Sequence, residues 1–267
     1  SLQSLLQRNG NRRNDRIFYS EHPLASQGHV AFVYPGSGNH YPSMGSGLAL
    51  NFPEVLQRQD AENEWLSNQL VTEAFWHGGS MEQINQDHHA MIYGQVAHGT
   101  LVTDVVALFG VTPGAVIGYS LGESAGLFST RGWKDRDEMY RRMKEGTLFT
   151  RDLAGPCESV REAWGLGPDE EVDWLLGVVN CSEDRVREVL EGRERVYLLI
   201  VNTPDECVVG GQRGAVEALV ESLGCQLFSV EGVTTVHCEV AEPVEHEYHD
   251  LHFFEVTPPE GVRYYSG

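Results

Sequence analysis

The chain has 267 residues, 41% of them hydrophobic and 22% charged, enough for one large domain or a large and a small one around a sizeable core. A formal net charge of −20, from 39 acidic against 19 basic residues, argues against a surface that holds nucleic acid or anionic lipid, although a local basic patch stays open. No apolar run reaches the roughly 18 residues of a membrane span and no signal peptide is recognisable, so a cytoplasmic protein is expected. The five cysteines, Cys157, Cys181, Cys207, Cys225 and Cys238, form no CxxC pair and are expected to be reduced. A start at Ser1 without methionine, and an end in an apparent strand, read as a piece of something larger.

Residues 1–28 are polar, with Arg and Asn clustered between Asn9 and Arg16, and are expected to be a linker from an upstream domain with no element of its own. The first buried-strand signal is His29–Tyr34, which runs into the turn Pro35-Gly36-Ser37-Gly38. Helical stretches rich in Leu, Glu and Gln follow, up to about Gly110. A short apolar strand then meets a glycine turn within Gly114–Glu123, and a helix opens after it. Residues 135–147 read as a charged amphipathic helix starting at an Asp135 cap.

From Val172 the pattern changes. Strand Trp174–Val179, a helix capped by Ser182 and ended by Gly192, strands Val196–Val201 and Glu206–Val209, a helix from Gly214 to Gly224 and strand Gln226–Val230 come in turn. That βαββαβ order is the ferredoxin-like arrangement, with helices on one face of a small antiparallel sheet. The expected fold is therefore α/β: an α/β-hydrolase-like core with a parallel sheet, in two pieces (29–171 and 236–267), interrupted by a ferredoxin-like subdomain at 172–235.

Gly118-Tyr119-Ser120-Leu121-Gly122 matches the G-x-S-x-G nucleophile elbow. Its glycines allow a strained turn with backbone packed close on both sides, which lifts the serine hydroxyl above the sheet. The Leu121 amide and the helix N-terminus can then stabilise an oxyanion. With 29 Gly and 17 Ser, chance supplies such a pentapeptide about 0.2 times, so the strand before it and the helix after it carry the argument. Serine needs a base. Of the eleven histidines, His237 follows the last subdomain strand where the chain re-enters the main sheet. From position alone, a satisfied surface or core histidine is the better reading.

Three stretches together resemble the malonyl-CoA:carrier-protein transacylases and the acyltransferase domains of type I polyketide and polyunsaturated fatty acid synthases. Val30–His40 with Tyr41–Gly45 resembles the family's opening strand and PGQGSQ-type loop, Gly118–Glu123 its GHSLGE box, and Thr234–His237 its histidine motif. Val201–Pro204 and Val208–Gly211 resemble paired strands of its small subdomain. The resemblance implies ping-pong acyl transfer: Ser120 attacks an acyl-CoA with His237 as base, and the phosphopantetheine thiol of an acyl carrier protein then attacks the acyl-enzyme. It implies an oxyanion hole from the backbone N–H groups of Ser37 and Leu121, and a backbone carbonyl near Ser266–Gly267 orienting the histidine. Asn202 and Thr235 are taken as substrate contacts, and His40 at the glycine loop as a contact to the acyl chain or the pantetheine arm. His88 and His89, the latter also taken as a contact, either border the cleft, as the resemblance implies, or form a surface pair. No cofactor is resident, since acyl-CoA and phosphopantetheine are substrates, and the partners are a carrier protein and neighbouring domains, an upstream ketosynthase among them.

The departures concern the acyl group. Malonyl-loading members carry an arginine about 25 residues after the serine, paired with the substrate carboxylate. Here Glu145 holds that position, or Gly146 with one insertion, while Arg141 and Arg142 lie a turn earlier on a charged surface. Thr234, Thr235 and Val236 replace the residues that signal malonyl or methylmalonyl selection. A non-carboxylated or long acyl group is expected. His246, His249 and His252 sit among carboxylates, but a polar face explains that spacing and no metal is expected. Cys238 is read as incidental, because adjacent residues rarely face one another. The competing readings are a thioesterase or hydrolase using the same Ser-His pair, and a silent docking domain.

Overall fold

A computed structural model describes residues 12–14, 17–24, 28–167, 169–230 and 235–266. Strands β1 (Arg12–Asn14) and β2 (Ile17–Tyr19) pair antiparallel. The stretch expected to be a linker without elements thus holds a local ladder, for which the β-favouring tripeptide Ile17-Phe18-Tyr19 accounts.

Strands β3 (Ala31–Tyr34) and β4 (Ala115–Gly118) are parallel, with Tyr34 opposite Gly118. Between them run short helices from Ser46 to Gln86, a π-helical turn at Ala90–Gly94 and the helix Gln95–Leu108. Leu121–Ser129 is the helix that leaves β4, and Arg136–Glu145 comes next with its Asp135 cap accepting the Glu138 amide at 2.8 Å. A second π-helical turn, Leu148–Asp152, closes through Leu153 N–H donating to the Leu148 carbonyl, five residues back, at 2.8 Å. The shared core of this unit includes Tyr93, Val96, Val116, Phe128, Met139 and Leu153, all nearly inaccessible to water.

After helix Glu158–Trp164 come β5 (Trp174–Val179), helix Glu183–Leu190, β6 (Val196–Thr203), β7 (Glu206–Gln212), helix Arg213–Leu223 and β8 (Leu227–Ser229). These strands form one antiparallel sheet in the order β6-β7-β5-β8. Alternation divides its two faces. Leu175, Val179, Cys207 and Val209 pack with Val186, Val216 and Leu219 of the two helices. Leu176, Val178 and Val208 face the opposite way, toward Ser120. A register shift between Leu198 and Ile200 lets both Leu199 and Ile200 join that second face.

The chain returns through helix Glu245–His252 to β9 (Arg263–Ser266), which joins β4 in parallel with Ser266 opposite Gly118. Tyr34, Gly118 and Ser266 therefore end three parallel strands side by side, and the loop carrying Ser37 and the elbow leave from the same carboxyl edge of the sheet. Open α/β sheets place their ligand sites at that edge.

Candidate active site

The elbow is dictated by sterics. A Cβ on Gly118 would strike the backbone of Glu123, and one on Gly122 would strike the Tyr34 carbonyl. Only glycine lets the helix leave β4 this close to β3. Ser120 between them has φ 52° and ψ −118°, a conformation costing a non-glycine residue about 1–3 kcal/mol. The turn is fastened by Tyr119 N–H donating to the Tyr34 carbonyl at 3.0 Å and Glu123 N–H to the Ser120 carbonyl at 3.0 Å.

His237 arrives from the other end of the chain. Thr235 anchors its segment, donating both its backbone N–H (3.0 Å) and its hydroxyl (3.2 Å) to the Leu153 carbonyl. His237 itself has φ 64°, in the left-handed region. Its Nε2 lies 2.7 Å from Ser120 Oγ. That is hydrogen-bonding distance for a base and the proton it removes. Although the ring keeps a solvent-facing edge, partial loss of water lowers its pKa from the ordinary 6.5, and the nearby Glu123 carboxylate works against that shift. The imidazole is accordingly neutral at pH 7, the form that can accept the serine proton. Glu123, one turn into the elbow helix, accepts a hydrogen bond from Ser266 Oγ at 2.6 Å, so β9 also reaches the site.

Two cavities meet at Ser120 and His237. One, of about 390 Å³, runs under the small sheet and is lined by Leu176, Val178, Ile200, Val208 and Val230. The other, about 680 Å³, runs between the elbow helix and helix Glu245–His252, past Ile92, Trp133, Phe149, Tyr248 and His252. Ile92 and Phe149 both sit on the π-helical turns. Neither cavity has an Arg or Lys among its described lining residues. In His252, Nδ1 lies 2.8 Å from the Tyr248 carbonyl, which can only accept, and burial lowers its pKa, leaving the ring neutral.

The structure brings Ser37, Leu121 and Asn202 to these cavities with Ser120 and His237. Thr235 is buried beside Val236 and spends its hydroxyl on Leu153. The remaining expected contacts lie outside the cavity linings. His40 is buried with Nε2 2.7 Å from Asn85 Oδ1, and His89 is half-buried on the approach to the first π-helical turn. Glu145 is exposed and ion-paired with Arg141. Arg141 and Arg142 are both tied to Glu138, whose pKa they pull down to about 2. Arg142 also donates to the Asp250 and Phe253 carbonyls. Among the described residues no cluster of His, Cys, Asp and Glu could hold a metal ion, and no helix is long and apolar enough to cross a membrane. Thr234 and Gly267 lie outside the described residues. Sequence reasoning gave no role to Tyr119 and Glu123, although both lie in the Gly118–Glu123 motif, nor to Trp133, Phe149 and Tyr248, which enter the site through packing.

No family model matches the chain. It is 23% identical, over 266 residues, to a polyunsaturated fatty acid synthase subunit of Thraustochytrium, covering 93% of this chain and 13% of that protein. It is 29% identical, over 195 residues, to the malonyl CoA-acyl carrier protein transacylase of Bacillus subtilis, covering 72% of this chain and 56% of that one. Among solved structures, the acyltransferase domain from the second module of the salinomycin polyketide synthase superposes with a TM-score of 0.65 at 22% identity, over 88% of this chain and 52% of that chain. A malonyl-transacylase in complex with its type II polyketide synthase acyl-carrier protein superposes with a TM-score of 0.63 at 21% identity, over 86% and 72%. The chain thus has the mixed α/β fold of the acyltransferase domains, with its parallel sheet. Its relatives are transacylases and synthase subunits, of which it spans little more than half the length or far less.

Proposed function

We propose that the chain transfers an acyl group from acyl-CoA, through an ester on Ser120, to the phosphopantetheine thiol of an acyl carrier protein. The observation that carries this reading is the 2.7 Å contact between Ser120 Oγ and His237 Nε2 on a glycine-flanked elbow at the carboxyl edge of a parallel sheet. Its relatives' names supply the reaction class. His237 takes the serine proton as Oγ attacks the thioester carbonyl. The amides of Ser37 and Leu121 receive the oxyanion, and CoA leaves as the thiol after His237 returns the proton. In the second half His237 deprotonates the incoming carrier thiol, whose sulfur attacks the ester, and Ser120 is regenerated as the alcohol. The steps need no resident cofactor. The partners of this reading are a carrier protein and neighbouring synthase domains, with a ketosynthase upstream. Residues 29–171 and 236–267 act as one unit and 172–235 as a lid-like second, each with its own apolar core.

The acyl group of this reading is non-carboxylated or long. A malonyl carboxylate entering either cavity would lose its hydration with no Arg or Lys to offset the loss, and in the larger one it would also meet neutral His252 and the acidic side chain of Glu123. Intact mass after incubation with malonyl-, acetyl- and long-chain acyl-CoA tests both parts. An ester adduct from acetyl or long-chain donors, lost in Ser120→Ala, is expected. Rapid selective labelling by malonyl-CoA would overturn the selectivity, and no adduct from any donor would overturn the function.

A further inference from the structure

Among the described residues the small sheet touches the large unit at two polar places of different character. At the rear, Trp164 Nε1 donates to the Tyr197 hydroxyl at 2.9 Å and Arg195 donates to the Trp164 carbonyl at 2.9 Å. There Trp174 stacks between Trp164 and Tyr197, with centroids 5.7 and 6.1 Å away. At the front, Tyr119 reaches across the cleft from the residue before the nucleophile. Its hydroxyl donates to Asn202 Oδ1 on β6 at 2.8 Å, and Asn202 Nδ2 donates in turn to Glu206 Oε1 on β7 at 2.9 Å. The amide is thus turned so that its oxygen faces Tyr119, and the carboxylate on its NH2 group strengthens that oxygen as an acceptor. The Tyr119 ring lies on the oxyanion loop: a Cβ on Gly36 would fall 2.8 Å from its Cδ1. One side chain therefore touches the elbow, the loop carrying Ser37 and the small sheet.

We propose that Tyr119 is a positioning residue that latches the small sheet over Ser120, setting the width of the acyl cleft and limiting water's access to the acyl-enzyme. This rests on the acyl-transfer reading above. Burial, reinforced by Glu206 and opposed by the Asn202 bond, raises the phenol pKa, so the donor is present throughout the working pH range. The rear aromatic stack holds the sheet when the front bond opens, so the latch controls a pivot and not the attachment of the sheet.

Tyr119→Phe removes the hydroxyl and keeps the ring on Gly36. In that variant KM for the acyl donor should rise about fivefold, the scale of one neutral hydrogen bond, with kcat falling less. The half-life of the ester on Ser120 in water should shorten by a similar factor. Asn202→Ala should reproduce both effects, and the double variant should be no worse than either single one. Asn202→Asp combined with Glu206→Gln keeps both hydrogen bonds, with the introduced glutamine amide now the donor, and should restore the wild-type values. Kinetics and ester lifetime unchanged in Tyr119→Phe would overturn the latch, as would full additivity. If the wild-type protein accepts no acyl donor, the functional reading fails by itself. The latch is then read from amide hydrogen exchange at 198–203: faster exchange in Tyr119→Phe sustains it, and unchanged exchange overturns it.

Discussion

The elbow and the histidine arm deliver one side chain each to the same 2.7 Å contact, yet they are held in different ways. The elbow is fixed by exclusion: Gly118 and Gly122 sit where any side chain would collide with backbone, so five consecutive residues define the turn. The histidine arm is fixed by attachment: Thr235 hangs from a carbonyl 82 residues earlier in the chain. Exclusion leaves a pattern in a short string of letters. Attachment leaves almost none.

That contrast can be broken by substitution. Ser120→Ala should abolish the acyl adduct and cut turnover by about 10³-fold or more, because the remaining oxyanion donors cannot replace the nucleophile; intact mass and single-turnover rates check it. Gly122→Ala should destabilise the fold by about 3 kcal/mol or more in denaturant titration, since the methyl must displace the Tyr34 carbonyl. Gly47→Ala, where a methyl meets nothing within 4 Å, is the control and should stay within about 0.5 kcal/mol. On the attachment side, Thr235→Val keeps the backbone bond and loses the hydroxyl's. A cost of about 1 kcal/mol and an acylation rate several-fold lower, with the elbow intact, is expected.

The smallest effect concerns charge. A pKa depressed below 6.5 keeps His237 neutral at pH 7, so acylation should be flat there and fall as pH drops through a value below the usual histidine range. Glu123 favours the protonated ring, so Glu123→Gln should move that acid limb to still lower pH. A pH–rate profile of acyl-enzyme formation reads both. An unmoved limb would mean that the carboxylate serves only to hold Ser266.

Much of the scaffold was legible for the same reason the elbow was. Apolar runs ending at glycine turns placed β3 and β4, and apolar runs alternating with glycine-ended helices placed the small sheet; helix Arg213–Leu223 stops at Gly224, whose φ of 67° asks for glycine. Residue counting worked less well. Glu145, placed by its distance from Ser120, sits on an exposed helix face paired with Arg141, because a count along the chain carries no information about which side of the helix meets the cleft. His40 was reached through its neighbouring glycine loop, yet its side chain turns away to Asn85. Tyr119, Glu123 and the aromatic walls were illegible because their roles depend on strands and helices far along the chain, as Glu123 depends on Ser266.

The two π-helical turns give the larger cavity an unusual kind of editability. Each turn closes five residues back where an α-helix closes four back, so each holds one residue more than regular geometry requires. Removing a single residue from Leu148–Asp152 could be absorbed by tightening to an α-turn, with the flanking helices kept. Phe149, or whatever took its place, would then swing about 100° around the axis and off the cavity wall. Chain length at this point, as much as residue identity, is thus a coordinate along which such a cavity can be reshaped.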